Sequence, residues 1–242
     1  MRGIRASNCL LAIGLLLAGT PAAAQDAQTA RLTREIDALD AEVTRLESTR
    51  AIRKLQRAYG YYVDRGLWDE AADLFAADAT LEYGMDGVYV GKARIRDYLM
   101  RQGGGRPGLS YGQLNEHLQL QPLVTLAPDG RSAKARWRDL AMLGHFGKDA
   151  AWGDGIFENN YVLDQGVWKI AALHLYVSFV APYESGWARL QPVKGDWRSE
   201  TARAFPPDRP PTRRYAPFPD PFVPPFHYPH PVTGQTYRED RP

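Results

Sequence analysis

The distribution of proline separates residues 182–242 from the rest of this chain of 242 residues, and the segment 205–231 within them cannot form a helix or a central strand. Of its 18 prolines, 14 lie from Pro182 onward, and proline lacks the backbone N–H that helix interiors and central strands need. Aromatic residues nevertheless recur along this segment, at Phe218, Phe222, Phe226 and Tyr228. Because disordered tails are poor in aromatic residues, we expect residues 182–242 to form an extended arm on their own domain or on a neighbouring subunit.

Residues 1–24 have the three parts of a secretory signal peptide. Two arginines precede an apolar run over residues 9–18, and three alanines end at Ala24. Cleavage after Ala24 removes the single cysteine, so the mature protein has no disulfide, and it takes the formal net charge from +2 to zero. We therefore expect a periplasmic or secreted protein that binds neither nucleic acid nor, after cleavage, a membrane.

Residues 28–50 are predicted to form an amphipathic helix. Apolar side chains follow steps of four and three, with charged residues between them, at Leu32, Ile36, Leu39, Val43 and Leu46. This heptad seam is short, so two interpretations stay open: the helix packs on its own domain, or it associates with a second copy of the chain.

The pattern over residues 51–181 predicts an α+β domain. A helix with apolar residues from Ile52 to Tyr62 ends near Gly66, and short helices are predicted over 67–76 and 91–102, with the strand-like segments "ATLEY" and "GVYVG" between them. Four long strands follow, over 114–127, 132–146, 154–164 and 167–181, with hairpin turns at Asp129–Gly130 and Gln165–Gly166. This order favours a curved mixed or antiparallel sheet packed by about three helices.

The order of elements and the motif "YGYYVDRGLWDEAADLFAADATLEY", followed by "GVYVGKARIRDYL" and "DQGVWKI", resemble the SnoaL-like branch of the nuclear transport factor 2 superfamily. The resemblance covers residues 52–179 and implies a cone of sheet and helices around an apolar pocket. Its layout is nearest that of the bile-acid dehydratases, in which a charged helix also precedes the "AIRKL" segment. The superfamily includes cyclases, isomerases, dehydratases and non-catalytic binding proteins, so the fold alone does not fix the function.

The resemblance also implies the site residues. The acid–base positions of the bile-acid dehydratases match Tyr59, Asp64 and His117, whereas an arginine of that family falls at Val177. Trp68 of the same motif is a candidate for substrate binding. His174 and Tyr176 are further candidates, because the alternation of the last strand places them on one face, together with Trp168 and Ile170.

Each of these residues has a structural alternative. Asp64 in an apolar cavity beside a helix C-terminus is a stronger base than a surface carboxylate, but it can instead cap the next helix or form a turn with Gly66. Tyr59 either donates a hydrogen bond to a substrate oxygen or is a core tyrosine. Positions five apart on an ideal helix point about 140° apart, so a pocket shared with Asp64 requires the last helical turn to bend.

His117 suits proton transfer near neutral pH, although a single strand histidine is also a common structural residue. The five histidines form no metal-binding motif, and no nucleotide or dinucleotide fingerprint occurs, so we expect neither a metal nor a cofactor. Two functions follow. The first is a cofactor-independent lyase or isomerase acting on a hydrophobic, carbonyl-bearing small molecule; the second is a non-catalytic ligand-binding or assembly protein. We expect a homo-oligomer formed through the N-terminal helix and the C-terminal arm.

Overall fold

The computed structural model of the chain describes residues 21–192 and 195–237. Residues 1–20 of the predicted signal peptide lie outside this part, as do residues 193–194 and 238–242 of the predicted arm. The chain divides into two compact units, Met1–Thr44 and Arg45–Pro242. Helix α1, Pro21–Asp64, contributes residues to both units, so the two predicted helical phases form one helix.

The five side chains of the predicted heptad seam are exposed along α1, from 44% at Leu32 to 64% at Leu39. Charged residues flank them, as in the pair Arg31–Glu35 at 3.4 Å. The seam is therefore an exposed apolar stripe on a charged helix, and not a buried face.

The second unit is built on a six-stranded sheet in the order β2-β1-β6-β5-β4-β3. The strands are β1 (Phe75–Tyr83), β2 (Val88–Val90), β3 (Gln113–Leu126), β4 (Ser132–His145), β5 (Asp149–Asp164) and β6 (Val167–Pro182). Strands β1 and β6 pair in parallel and the other neighbours are antiparallel. The remaining helices are α2 (Trp68–Asp73), α3 (Lys92–Gln102), the 3-10 turn η1 (Trp187–Arg189) and α4 (Glu200–Ala204). The predicted α+β class is confirmed.

Two predicted boundaries are wrong. The short helix ends at Asp73 rather than near Ala76, because Phe75 already pairs with Ile170 of β6 and is fully buried in the sheet. Strand β5 begins at Asp149, five residues earlier than predicted, since this stretch pairs with the end of β4. In both places the pairing partner in the sheet decides the local structure.

The predicted arm packs on its own domain. The Thr212 N–H and hydroxyl donate to the Glu82 carboxylate, both at 2.8 Å. Further along, His227 Nδ1 lies 2.7 Å from Glu158 Oε2, and the Phe226 ring packs over the Arg136 guanidinium at 4.1 Å. Aromatic contacts and hydrogen-bonded carboxylates therefore hold this proline-rich segment, whose regular structure among the described residues is limited to η1 and α4.

Candidate functional site

Helix α1 ends in a turn that places Asp64 against strand β3. Gly66 follows the helix with φ of 67°; its N–H donates to the Val63 carbonyl at 3.1 Å, and the Leu67 N–H donates to the Tyr62 carbonyl at 2.9 Å. These two bonds form the Schellman motif, which needs a left-handed residue and therefore favours glycine. Asp64 is the last helical residue, and it is buried.

The Asp64 carboxylate holds His117 at two points. Oδ1 accepts the backbone N–H of His117 at 2.9 Å and lies 3.2 Å from Nδ1 of its imidazole. These contacts replace the alternative role of a cap, because the hydrogen bonds of the carboxylate go to β3 and not to the start of α2. With Nδ1 directed at Asp64, Nε2 is the ring nitrogen left for a ligand.

The surroundings of His117 favour its protonated form. Burial lowers the pKa of the imidazole, but the hydrogen bond to Asp64 and the negative charges of Asp139, Asp64 and Glu116 outweigh burial, so the pKa of His117 lies above its ordinary value of 6.5. His117 therefore keeps its proton up to a higher pH than a free histidine does.

Asp139 on β4 is a functional candidate that the sequence reading missed. It lines the same cavity as His117 and is 3% exposed. Asp139 pairs with Gln119 whereas His117 pairs with Ala141, so the two acid–base groups are diagonal neighbours on one face of the sheet. Burial raises the pKa of Asp139 to about 6, and the charge of His117 and a hydrogen bond from Gln119 limit the rise.

The sequence does carry a signal for Asp139. On β4 the side chains of Ala133, Ala135, Trp137 and Ala141 are buried, and Asp139 has the same alternating phase. A carboxylate on the apolar face of a strand is costly to bury, so an aspartate in this phase indicates a functional position, and this criterion would have identified Asp139.

A chain of hydrogen bonds ends on Asp139. Trp137 Nε1–H donates to the Tyr161 hydroxyl at 3.1 Å, which donates to Gln56 Oε1 at 2.7 Å. Gln56 Nε2 donates to Gln119 Oε1 at 2.8 Å, and Gln119 Nε2 donates to Asp139 Oδ1 at 3.1 Å. Every donor points toward Asp139. Oδ1 is thus fixed as an acceptor, and Oδ2 is the oxygen that carries the proton of the neutral acid.

Tyr59 lies behind the cavity wall, and Tyr83 presents the phenol. Tyr59 is 1% exposed and is absent from the residues that line the cavity, whereas Tyr83 lines it. The two hydroxyls share a short hydrogen bond. Burial raises the pKa of both phenols, so both remain protonated at neutral pH. Tyr83, and not the predicted Tyr59, is therefore the phenol that faces the cavity.

The cavity has a volume of about 260 Å³. Its walls are largely apolar, and Trp68 lies in them with its indole N–H donating to the Arg106 carbonyl at 2.8 Å. A few polar groups converge on the space: Tyr83, Gln102, Asn115, His117, Asp139 and Asp154. An apolar concavity with a small number of placed polar groups is the usual form of a small-molecule site.

His174 and Tyr176 lie beneath the arm and do not line this cavity. Their rings stack at 3.8 Å, and Tyr215 and Phe222 of the arm pack on Tyr176 at 5.7 and 5.8 Å. Burial lowers the pKa of His174 to about 4, so this histidine is neutral at pH 7. The structure therefore separates the two predicted binding residues from His117.

The predicted face of β6 is wrong because the strand is irregular. The register between β5 and β6 shifts between Asn160 and Tyr161. The core side of β6 therefore passes from Trp168 and Ile170 to Leu173 and Leu175. Simple alternation from Trp168 instead carries His174 to the inside, which is the error made from the sequence.

Comparison with known proteins identifies the family. A profile of the SnoaL-like domain matches residues 44–174, more than half of the chain. The chain belongs to the SnoaL-like family. This confirms the resemblance to the nuclear transport factor 2-like superfamily, whereas the closer likeness to the bile-acid dehydratases stays a prediction. No curated protein sequence matches the chain.

Solved structures share the fold of this SnoaL-like chain. One is a candidate scytalone dehydratase from Novosphingobium aromaticivorans, with 19% identity and a TM-score of 0.52, covering 66% of this chain and 99% of the other. A second is the hexachlorocyclohexane dehydrochlorinase LinA-type3 from Novosphingobium barchaimii, with 18% identity and a TM-score of 0.51, covering 64% of this chain and 99% of the other. At these identities the likeness shows the fold alone.

The described residues contain neither a metal-binding cluster nor a membrane-spanning helix. Over 21–192 and 195–237, no group of three or more histidine, cysteine, aspartate or glutamate side chains is placed to hold a metal ion. None of the helices in this part is both long enough and apolar enough to cross a membrane.

Proposed function

We propose that this SnoaL-like protein is a cofactor-independent lyase or isomerase that acts on a hydrophobic small molecule bearing a carbonyl group. The observation that carries the proposal is the placement of His117, held by Asp64, next to Asp139 on the wall of an apolar cavity. Two of the structural neighbours are named a dehydratase and a dehydrochlorinase, which is consistent with this reaction class.

The pKa shifts of His117 and Asp139 indicate which of the two is the acid and which is the base. Since the pKa of His117 lies above 6.5 and that of Asp139 is about 6, there is a range near neutral pH in which Asp139 is ionised beside a protonated His117. Asp139 Oδ2 removes a proton from the carbon next to the carbonyl. In a dehydration, His117 Nε2–H protonates a hydroxyl on the following carbon, which leaves as water while a carbon–carbon double bond forms, and the proton held by Asp139 returns to His117 through solvent. In an isomerisation, His117 Nε2–H protonates the enolate oxygen and takes that proton back when Asp139 delivers its own proton to a different carbon of the same molecule.

The remaining polar groups orient this pair. Asp64 fixes the tautomer and direction of the His117 ring, as in other carboxylate–histidine pairs. The Tyr83 hydroxyl, supported by Tyr59, is placed to hydrogen-bond a substrate oxygen. None of the described residues of the arm lines the cavity. The aromatic side chains of the arm therefore do not fill it. That observation favours catalysis over the alternative of an assembly protein.

A screen and three variants test this function. Hydroxylated steroids and aromatic ketones are screened for ligand-induced thermal stabilisation, and the hits are assayed for turnover. His117→Ala and Asp139→Asn should each lower kcat by about two to four powers of ten. Asp129→Asn, in the turn between β3 and β4, is the matched control and should leave kcat unchanged. Wild-type turnover in both cavity variants, with correct folding shown by circular dichroism, would refute the chemistry.

We also propose that the protein is exported and self-associates. Export is supported by the signal-peptide pattern of residues 1–24. Self-association is supported by the exposed seam of α1, in which Leu39 is 64% exposed. A repeated apolar stripe between charged residues is the surface that a second copy of the same helix can bury.

A further inference from the structure

A second cavity, here called the arm chamber, adjoins the central cavity. It has a volume of about 360 Å³ and lies between β6 and the C-terminal arm. The two cavities share five lining residues: Tyr83, Gln102, Val177, Phe179 and Val180. Tyr83 and Val177 therefore stand at the junction between the space beside His117 and the space beneath the arm.

The arm is fixed to the sheet around this chamber by hydrogen bonds. The Ser199 N–H donates to Asp86 Oδ1 at 2.6 Å. The Val177 N–H donates to the Tyr215 hydroxyl at 2.7 Å, and the Phe218 N–H donates to the Ser178 carbonyl at 2.8 Å. These hydrogen bonds fix the wall of the chamber to β6 and to the turn after β1. The chamber is therefore part of the folded domain.

The chamber suits an apolar group. Trp197, Tyr215 and Phe218 of the arm line it together with Phe179 of β6. Asp86 is the carboxylate among the described lining residues, and it is already satisfied by Ser199 and by the Tyr98 hydroxyl at 2.7 Å. An apolar ligand would lose little hydration here and would gain aromatic contact.

The volumes of the two cavities and the side chain at their junction indicate that one ligand can occupy both. Drug-sized ligands occupy pockets of roughly 300–1,000 Å³, and the central cavity of about 260 Å³ lies below that range until the arm chamber is added. At the junction stands Val177, an apolar side chain where the family resemblance implies an arginine. An apolar body can therefore pass the junction without leaving a buried charge unpaired.

We propose that the arm chamber is a second ligand subsite, which takes the apolar far end of an elongated molecule whose carbonyl end lies at His117 and Asp139. This inference rests on the proposed function for the position of the carbonyl end. The arm then determines which substrates bind, by length and apolar character, while the central cavity carries the chemistry.

Calorimetric titration with two ketones of different length tests the subsite. The short probe is 2-acetylnaphthalene and the long probe is progesterone. We expect wild-type protein to bind progesterone more tightly, and Trp197→Ala and Phe218→Ala each to weaken progesterone by about tenfold, which corresponds to the loss of roughly 55 Å² of apolar contact at 25 cal/mol per Å². Both variants should change the affinity for 2-acetylnaphthalene by less than about twofold, well below that tenfold loss.

Phe226→Ala is the matched control, because Phe226 is an aromatic residue of the same arm that packs on Arg136 outside the chamber. It should leave both affinities unchanged. Equal losses for the two probes, an equal loss in Phe226→Ala, or no preference of wild-type protein for progesterone would overturn the subsite. Failure of the proposed chemistry is seen separately, as unchanged turnover in His117→Ala and Asp139→Asn while the length-dependent binding persists.

Discussion

Replacing Asp139 by asparagine should make the protein more stable at alkaline pH while removing activity. The folded-state pKa of Asp139 is about 6, against an ordinary value of 3.8, so the folded protein binds this proton more tightly than the unfolded chain does. The resulting stabilisation is complete below pH 3.8 and is lost as the pH rises through about 6. At about 1.36 kcal/mol per pH unit, ionised Asp139 destabilises the fold by up to about 3 kcal/mol at pH 8.

Asparagine retains the oxygen that accepts the Gln119 hydrogen bond and carries no charge. Urea unfolding at pH 4 and pH 8 measures the effect as the difference between Asp139→Asn and wild type, which cancels the other titrating groups. We expect nearly equal free energies of unfolding at pH 4 and a more stable variant at pH 8. Asp164→Asn is the control, because it removes a carboxylate that pairs with Lys169 at 2.7 Å, and it should not make the protein more stable at pH 8. A variant no more stable than wild type at pH 8 would refute the raised pKa of the buried Asp139 carboxylate.

Three other predictions concern different parts of the chain. Gln119→Leu removes the donor to Asp139 that lowers its pKa, so the acidic limb of the pH–rate profile should move to higher pH. Gly66→Ala places a methyl group 2.9 Å from the Gly108 backbone at a left-handed φ of 67°, and thermal unfolding should show a loss of at least about 1 kcal/mol. Leu39→Glu should shift the protein to a smaller species in sedimentation velocity if the seam joins two copies, with no change in turnover; an unchanged sedimentation coefficient would argue against that interface.

The sequence was sufficient for the architecture of the domain. Alternation and turn residues located all four long strands, and the Gln165–Gly166 turn has positive φ at both positions, 50° and 80°, as a tight hairpin requires. Phe75 shows where assignment from the local sequence fails. Its assignment to helix or strand depends on a pairing partner in β6, almost a hundred residues away along the chain, which local propensity does not register.

The parts of the candidate site that match family positions were predictable from the sequence. Asp64 and His117 lie together as expected, since the motif fixes both the end of α1 and its partner strand. Tyr59 and His174 were misplaced for geometric reasons. Tyr59 lies on the face of α1 that packs into the core. The register shift between β5 and β6 places His174 on the side of the sheet away from the cavity. Neither a shifted register nor the destination of a helix face can be obtained from spacing alone.

The most direct test of the acid–base site is deuterium exchange into a bound ketone. With 2-acetylnaphthalene in D₂O, mass spectrometry follows the replacement of the hydrogens next to the carbonyl and needs no knowledge of the natural substrate. We expect wild-type protein to catalyse this exchange, and His117→Ala and Asp139→Asn to slow it by about two to four powers of ten. Exchange at the wild-type rate in both variants would contradict the role assigned to His117 and Asp139.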